Sequence, residues 1–254
     1  MKSLNHMKEK CVGCNKKKVV FTKEHVFPKW LINKTSTDKT GIKWLDNSRK
    51  IPASSCTLPL CEDCNSKFGQ KLEQPVSNIF DDLENGIPIS DIESELLVRW
   101  GWKTYGMFWM ALKEDDWIYT EKYNLRERVL SPINKIRKDI ILAVSRIEEI
   151  DPFYGDAPMG IDSHNLVDAV FFSGVFNKIA IIISLREFEY MIPNNFSIYN
   201  LKSLRIMNNS QKTFLPKIGF KDDTEAVGIT KQISFFMSRY HDIKAMKLQS
   251  QYHK

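Results

Sequence analysis

Two Cys-x-x-Cys pairs, Cys11/Cys14 and Cys61/Cys64, constrain this chain more than any other feature. Each pair is a turn that brings two sulfurs within reach of one ion. Two such turns complete the tetrahedral set that closes around a structural zinc. The pairs are separated by 46 residues, so the chain between them must fold back to bring them together. The alternative is a set of four reduced, buried thiols. Cys56 is left over and reads as a small buried residue rather than a fifth ligand. Inside the span lies the dipeptide Glu24-His25, and Asn65 directly follows the second pair. A carboxylate, an imidazole and a carboxamide suit a different ion, a hard hydrolytic cation that keeps coordinated water.

The compartment bears on the cysteine argument. The first ten residues contain no apolar stretch of the kind a secretory signal needs. The longest aliphatic runs, Ile179 to Leu185 and Ile140 to Val144, fall far short of a membrane span. The chain reads as cytoplasmic and soluble with no membrane partner, where five cysteines point to metal ligation by four of them and not to disulfides. Charge is unevenly spread. Residues 1–80 carry 15 Lys/Arg against 7 Asp/Glu, while the other 174 residues carry 22 against 24. The excess positive charge therefore lies in the segment that holds the Cys and His residues, the footprint of a polyanion-binding module; a solvated lysine-rich face is the other reading. Neither G-x-x-x-x-G-K-[ST] nor G-x-G-x-x-G occurs, which argues against nucleotide hydrolysis.

The organisation predicts an α+β fold in two parts: a small module over 1–85 and a second domain over 86–254, with the boundary at Asn85-Gly86-Ile87-Pro88. In the module, a strand is expected over Lys18–Thr22, a long polar loop over 33–50 after Pro28, and a second strand over Ser54–Leu60. A helix opening on Glu62-Asp63 should run through Phe68 and Leu72 and end before Pro75. In the second domain, 90–113 follows a helical period with Ile92, Leu96, Trp100, Met107, Trp109 and Leu112 apolar, a stripe that reads as core or subunit contact. A helix is expected over 124–138, interrupted near Pro132, then a strand over 139–144. Val167–Phe176 and Ile179–Leu185 form a hairpin around Asn177-Lys178, and weaker strands follow at 196–206 and 226–237. The second domain is thus helical first and mainly antiparallel β after.

Taken together, Cys11-x-x-Cys14, Glu24-His25-x-x-Pro28 and Leu60-Cys61-x-x-Cys64-Asn65 resemble the HNH endonucleases, in the subset whose ββα-metal fold carries a four-cysteine zinc. The resemblance spans residues 11–73. It implies a hydrolase that cuts DNA, RNA being a lesser expectation. His25 would be the general base, Glu24 and Asn65 would bind one catalytic Mg²⁺ or Mn²⁺, and Cys11, Cys14, Cys61 and Cys64 would hold zinc. The unperturbed imidazole pKa, ~6.5, suits a base working near neutrality. Two positions depart from the family's pattern. Cys56, beside Ser54 and Ser55, stands where the family carries an orienting Asn, and Gly69 stands where a further His or Asn occurs. A Ser hydroxyl or a backbone carbonyl is the expected substitute for the first.

Each residue also has a plainer reading. His25 can be a buried strand histidine, Glu24 a solvated neighbour of Lys23, and Asn65 a helix-terminus residue bonding backbone groups. Lys67 and Lys29 are the candidates for substrate phosphates, while Lys16, Lys17, Lys18, Arg49, Lys50 and Lys71 are also available for them. His241-Asp242 and Asp162/His164 read as structural. The functional expectation is a metal-dependent DNA endonuclease, with phage defence or restriction as the family's habit. The alternatives are a non-catalytic zinc-stabilised nucleic-acid-binding module and an accessory subunit of a larger nuclease complex. The second domain is open to target recognition, homodimerisation or docking of a partner protein.

Overall fold

The computed structural model describes residues 10–17, 19–42, 49–112, 124–132, 139–150, 159–162, 171–201 and 211–252, with backbone alone for 109, 112, 159–162 and 238–252. Lys18, residues 133–138 and 202–206, His164, and the side chains of Trp109, Leu112, Asp162, His241 and Asp242 lie outside that description.

The first segment opens with β1 (Phe21–His25), which pairs antiparallel with β2 (Thr57–Cys61), Phe21 lying opposite Cys61 and His25 opposite Thr57. The first strand is thus later than expected: Val20 is 81% exposed, and pairing begins only at Phe21. The second strand also starts later, because Ala53–Ser55 form a 3-10 turn after Pro52. The expected polar loop at 33–50 contains helix instead. Pro28 caps α1 (Lys29–Thr35), which buries Leu31 and Ile32, and Ser36 in the left-handed region (φ 54°) turns the chain into α2 (Thr37–Thr40). The threonines misled by polarity. Thr35 Oγ1 donates back to Leu31 O at 2.8 Å and shares a hydrogen bond with Thr37 Oγ1 at 2.9 Å, so both are buried without an unmet polar group.

Helix α3 (Glu62–Phe68) follows β2 without a loop, and it does not stop before Pro75. A π-helical turn (Gly69–Glu73) joins it to α4 (Gln74–Glu84), with Gln74 N–H reaching Gly69 O five residues back. Pro75 sits in the first turn of α4, where a missing N–H is harmless. The wide turn lets one run of helix pass a proline.

Helix α5 (Asp91–Leu112) occupies the expected place, although Ile92 is 46% exposed. Next come α6 (Leu125–Leu130), capped by an Asn124/Glu127 capping box, and a six-stranded sheet. Its strands are β3 (Ile140–Glu149), β4 (Met159–Asp162), β5 (Phe172–Phe176), β6 (Ile179–Leu185), β7 (Ser197–Asn200) and β8 (Ile218–Asp222). They run in the order β4-β5-β6-β3-β7, with β8 also on β3; every pairing is antiparallel except β3–β8. The β5–β6 turn carries Asn177 at φ 51°, the left-handed geometry a two-residue hairpin demands. Every residue of β5 and β6 is buried, which explains their unbroken apolar runs.

The expected strand at 226–237 is helix. It belongs to α7 (Asp223–Tyr252), which packs against β5, β6, β3 and β8. Ala226, Thr230, Ile233 and Met237 are buried at helical spacing, and this outweighs the β-branched content of the segment. Asp222 Oδ1 accepts from Glu225 N–H at 2.8 Å and Glu225 Oε2 from Lys221 N–H at 3.0 Å, fixing the helix start.

The core crosses the expected boundary at 85/86. Trp30 of α1 lies 5.1 Å from Phe80 of α4, Phe80 5.2 Å from Trp100 of α5, and Trp100 4.9 Å from Phe176 of β5, centroid to centroid. Trp100 and Trp102 are wholly buried, so these two tryptophans belong to the core. At Gly101 a Cβ would come within 2.5 Å of Ile183 Cδ1 and 3.0 Å of Phe172 Cδ1, so any side chain there would have to displace the buried packing of α5 on the sheet. Among the described residues no helix is long and apolar enough to cross a membrane.

Candidate functional site

The four cysteines converge. The Sγ atoms of Cys11, Cys14, Cys61 and Cys64 all lie within 4.8 Å of one another. Cys14 Sγ and Cys61 Sγ are 3.8 Å apart, the edge of a tetrahedron built on Zn–S bonds of about 2.3 Å. Cys61 ends β2 and caps α3, and Cys64 stands in the first turn of that helix, so strand and helix together fix one knuckle. The other is a tight turn in which Asn15 N–H donates to Cys11 O at 2.8 Å. A Cβ at Gly13 would lie 3.0 Å from Cys64 Sγ, so the two knuckles meet at a residue without a side chain. Crowding divides the protons unequally. A hydrogen bond from Cys64 pulls the Cys11 thiol down to about 4, and the same contact pushes Cys64 up. These residues fit a thiophilic, tetrahedral ion such as zinc, which needs thiolates.

The surroundings add donors suited to such a charge. Cys61 N–H donates to Cys11 Sγ at 3.2 Å, and Arg126 of α6 places Nη1 3.9 Å from Cys64 Sγ and 2.5 Å from Asp63 Oδ2. Arg126 N–H also donates to Gly13 O at 2.8 Å, so α6 binds both knuckles. Cys56 is buried outside this cluster, its thiol pushed up to about 12 by burial. It stays protonated and is no ligand.

A cleft of about 480 Å³ lies beside the end of β1, lined by Lys23, Glu24, His25, Lys29, Trp30, Asn65, Gly69, Glu73 and Gln74 among others. Four of the expected site residues, Glu24, His25, Asn65 and Lys29, therefore share one cavity. Glu24 and His25, adjacent on a strand, both reach it because β1 ends at His25 and the chain turns away through Pro28. The turn is held by Val26 N–H, which donates to Cys56 O at 2.8 Å. Asn65 is oriented by a relay. Thr22 Oγ1 donates to Leu60 O at 3.1 Å, so it must accept from Asn65 Nδ2 at 2.7 Å, which leaves Asn65 Oδ1 as the acceptor with ligand capacity. The amide neither caps the helix nor lies idle.

His25 is half-buried, and its imidazole makes no hydrogen bond among the described residues. Burial lowers its pKa, and the Lys29 charge adds to that, so the neutral ring persists below the usual histidine range. Glu24 is not the solvated neighbour of Lys23 that its plainer reading made it. It is only 7% exposed, and its Oε1 lies 2.8 Å from Nζ of Lys103 on α5. The same ammonium, itself wholly buried, is 2.5 Å from Glu73 Oε1 and 3.4 Å from His25 O. Burial pushes the Lys103 pKa down, but the Glu73 and Glu24 charges outweigh it and leave the pKa raised. Two carboxylates share one cation, and burial accordingly raises the Glu24 pKa.

Lys29 stands at the cleft, exposed, whereas Lys67 is outside its lining and pairs with Asp63 at 2.8 Å. Sequence reasoning missed Glu73 and Lys103. The first was visible in principle, since Asn65, Gly69 and Glu73 recur every four residues along one helical run. The second leaves only a weak trace, the single charge in the otherwise uncharged stretch from Trp100 to Leu112. A Cβ at Gly69 would meet nothing within 4 Å, so the cleft is open there. The cleft offers oxygen ligands, a neutral base and a cationic rim. No family model matches the chain, and no curated protein or solved structure matches it.

Proposed function

We propose that this chain is a metal-dependent endonuclease of the HNH kind, hydrolysing phosphodiester bonds of DNA. The observation that carries the reading is the shared cleft, in which Glu24, His25 and Asn65 meet although Asn65 lies 40 positions beyond His25 in the chain. The order β1, β2, α3 and the adjoining cysteine cluster, which we read as a zinc-stabilised ββα-metal module, support it. Neutral His25 takes a proton from the attacking water at a ring nitrogen, aided by a depressed pKa that keeps the acceptor free near pH 7. The Cys56 carbonyl, through Val26, holds the loop that aims the ring and so replaces the family's Asn. Lys29 contacts a substrate phosphate. Asn65 Oδ1 and the Glu24 carboxylate are the oxygens that would hold Mg²⁺ or Mn²⁺, a donor set chemically suited to such an ion. When bound, that ion supplies charge neutralisation at the scissile phosphate and at the leaving 3′-oxygen.

The test is plasmid cleavage with Mg²⁺ or Mn²⁺ by wild type and His25→Ala. The expected loss is about 10²–10⁴-fold, the usual worth of a positioned base. Equal cleavage by the two proteins defeats the assignment. One observation favours a second reading, a nucleic-acid-binding module without catalysis: the Glu24 carboxylate is already engaged by Lys103. In that case DNA binding weakens steeply with salt, His25→Ala leaves it unchanged, and no cleavage occurs with either ion.

A further inference from the structure

Lys103 has no task in the nuclease reading, yet it is a buried cation held by three residues that line the cleft. It comes from α5, in the segment whose role the sequence leaves open. Its side chain is wholly buried, with Nζ on Glu24 Oε1, Glu73 Oε1 and His25 O. Burying an ammonium is costly unless it is fully paired, and an apolar side chain between Trp102 and Thr104 would fill the space without that cost. Packing therefore does not account for a lysine here. All three oxygens it contacts belong to residues that line the cleft.

We propose that Lys103 is a positioning residue of this site. Its ammonium is a resident cation that holds Glu24 and Glu73 side by side, anchors the end of β1 at His25, and competes with a divalent ion for the two carboxylates. Residues 86–254 thereby complete the cleft and are more than an appended recognition domain. The consequence for cleavage rests on the nuclease reading; the consequence for ion affinity is measured apart from it.

Charge and geometry oppose each other in this arrangement, and their magnitudes decide the outcome. Replacing Lys103 with Met keeps the length and removes one positive charge from bonding distance of two carboxylates. At that range the electrostatic gain for a dication exceeds the cost of a looser pair, so affinity should rise by about tenfold or more. Turnover should fall by about tenfold or more, because the ion and His25 are no longer held in register. A residue that merely supports the fold would weaken both.

The experiment is calorimetric titration of Mn²⁺ into the full, zinc-loaded chain, comparing wild type, Lys103→Met, Lys103→Arg and the double variant Glu24→Gln/Lys103→Met. Tighter Mn²⁺ binding in Lys103→Met, absent in Lys103→Arg and erased in the double variant, is the expected result. Unchanged or weaker binding by folded Lys103→Met overturns the proposal. Should that variant melt too readily to titrate, recovery of its melting temperature by excess Mn²⁺ supports the proposal, and lack of recovery overturns it. A wild type that cuts no DNA, beside a Lys103→Met chain that gains Mn²⁺ affinity, would sink the nuclease reading and leave the assignment of Lys103 standing.

Discussion

The cysteine cluster and the cleft are neighbours built in opposite ways. The cluster takes all four of its ligands from two short turns whose spacing is the chemistry, with one residue, Arg126, added from a distance. The cleft takes Glu24 and His25 from a strand and Asn65 and Glu73 from a helical run, and two of its carboxylates are paired from behind by Lys103 of a helix beyond the expected boundary. A closed metal site needs like ligands at fixed reach, and local turns supply that. The hydrolysis proposed for the cleft needs unlike groups in unlike environments, and only tertiary packing supplies burial for one carboxylate and exposure for a lysine beside it.

That contrast can be broken at several points. Cys61→Ser should have the largest effect. Structural zinc contributes about 10–16 kcal/mol of folding free energy in small peptides, comparable to the whole stability of a domain. The variant should lose its metal and its cooperative melt, read by elemental analysis and circular dichroism. A variant that keeps a wild-type melt would show the cluster to be dispensable. Arg126→Ala comes next. It removes the exposed pair with Asp63 and the contact with Cys64, and should lower the denaturant midpoint modestly while one metal per chain is retained.

Lys29→Gln addresses the cleft. Burial and the Lys29 charge both depress the His25 pKa, so the neutral base survives as pH falls, and the acid limb of kcat/KM should lie below the ordinary value of about 6.5. Removing Lys29 raises that pKa, so the limb should move to higher pH, and the salt slope of DNA binding should drop by about one. An unmoved limb would separate Lys29 from His25. The smallest effect is expected at Gly69, whose φ of −58° is ordinary helix and whose Cβ direction is open. Gly69→Ala should stabilise by about 0.5–1 kcal/mol in thermal melts with cleavage retained. Loss of cleavage there would mean that substrate needs the space.

The parts legible in the sequence were those carried by short-range pattern. The two cysteine turns, the Asn177 hairpin and the long helix over 91–112 were all of this kind. Misreadings arose where one local signal was trusted against another. Thr35 and Thr37 read as loop because hydroxyls that bond back within a helix look polar on paper. Residues 226–237 read as strand because of their β-branched content, although Asp222-x-x-Glu225 is a helix-start signature. Lys103 could not have been matched to Glu24 at all, since 79 positions separate them and nothing local relates a lysine on one helix to a carboxylate on a distant strand.

The π-helical turn at Gly69–Glu73 has a consequence for how this chain can vary. Such a turn amounts to one surplus residue in an α-helix. Deleting Gln70 would leave the inward faces of α3 and α4 in register, with Phe68 and Val76 still in the core. Pro75 would then fall inside unbroken α-helix, where a proline costs about 3 kcal/mol. Removing the proline alone would take away the reason for the wide turn, and the helix could tighten and swing Glu73 out of the cleft. Surplus residue and proline behave as a matched pair, and an indel at one is tolerated only with a substitution at the other.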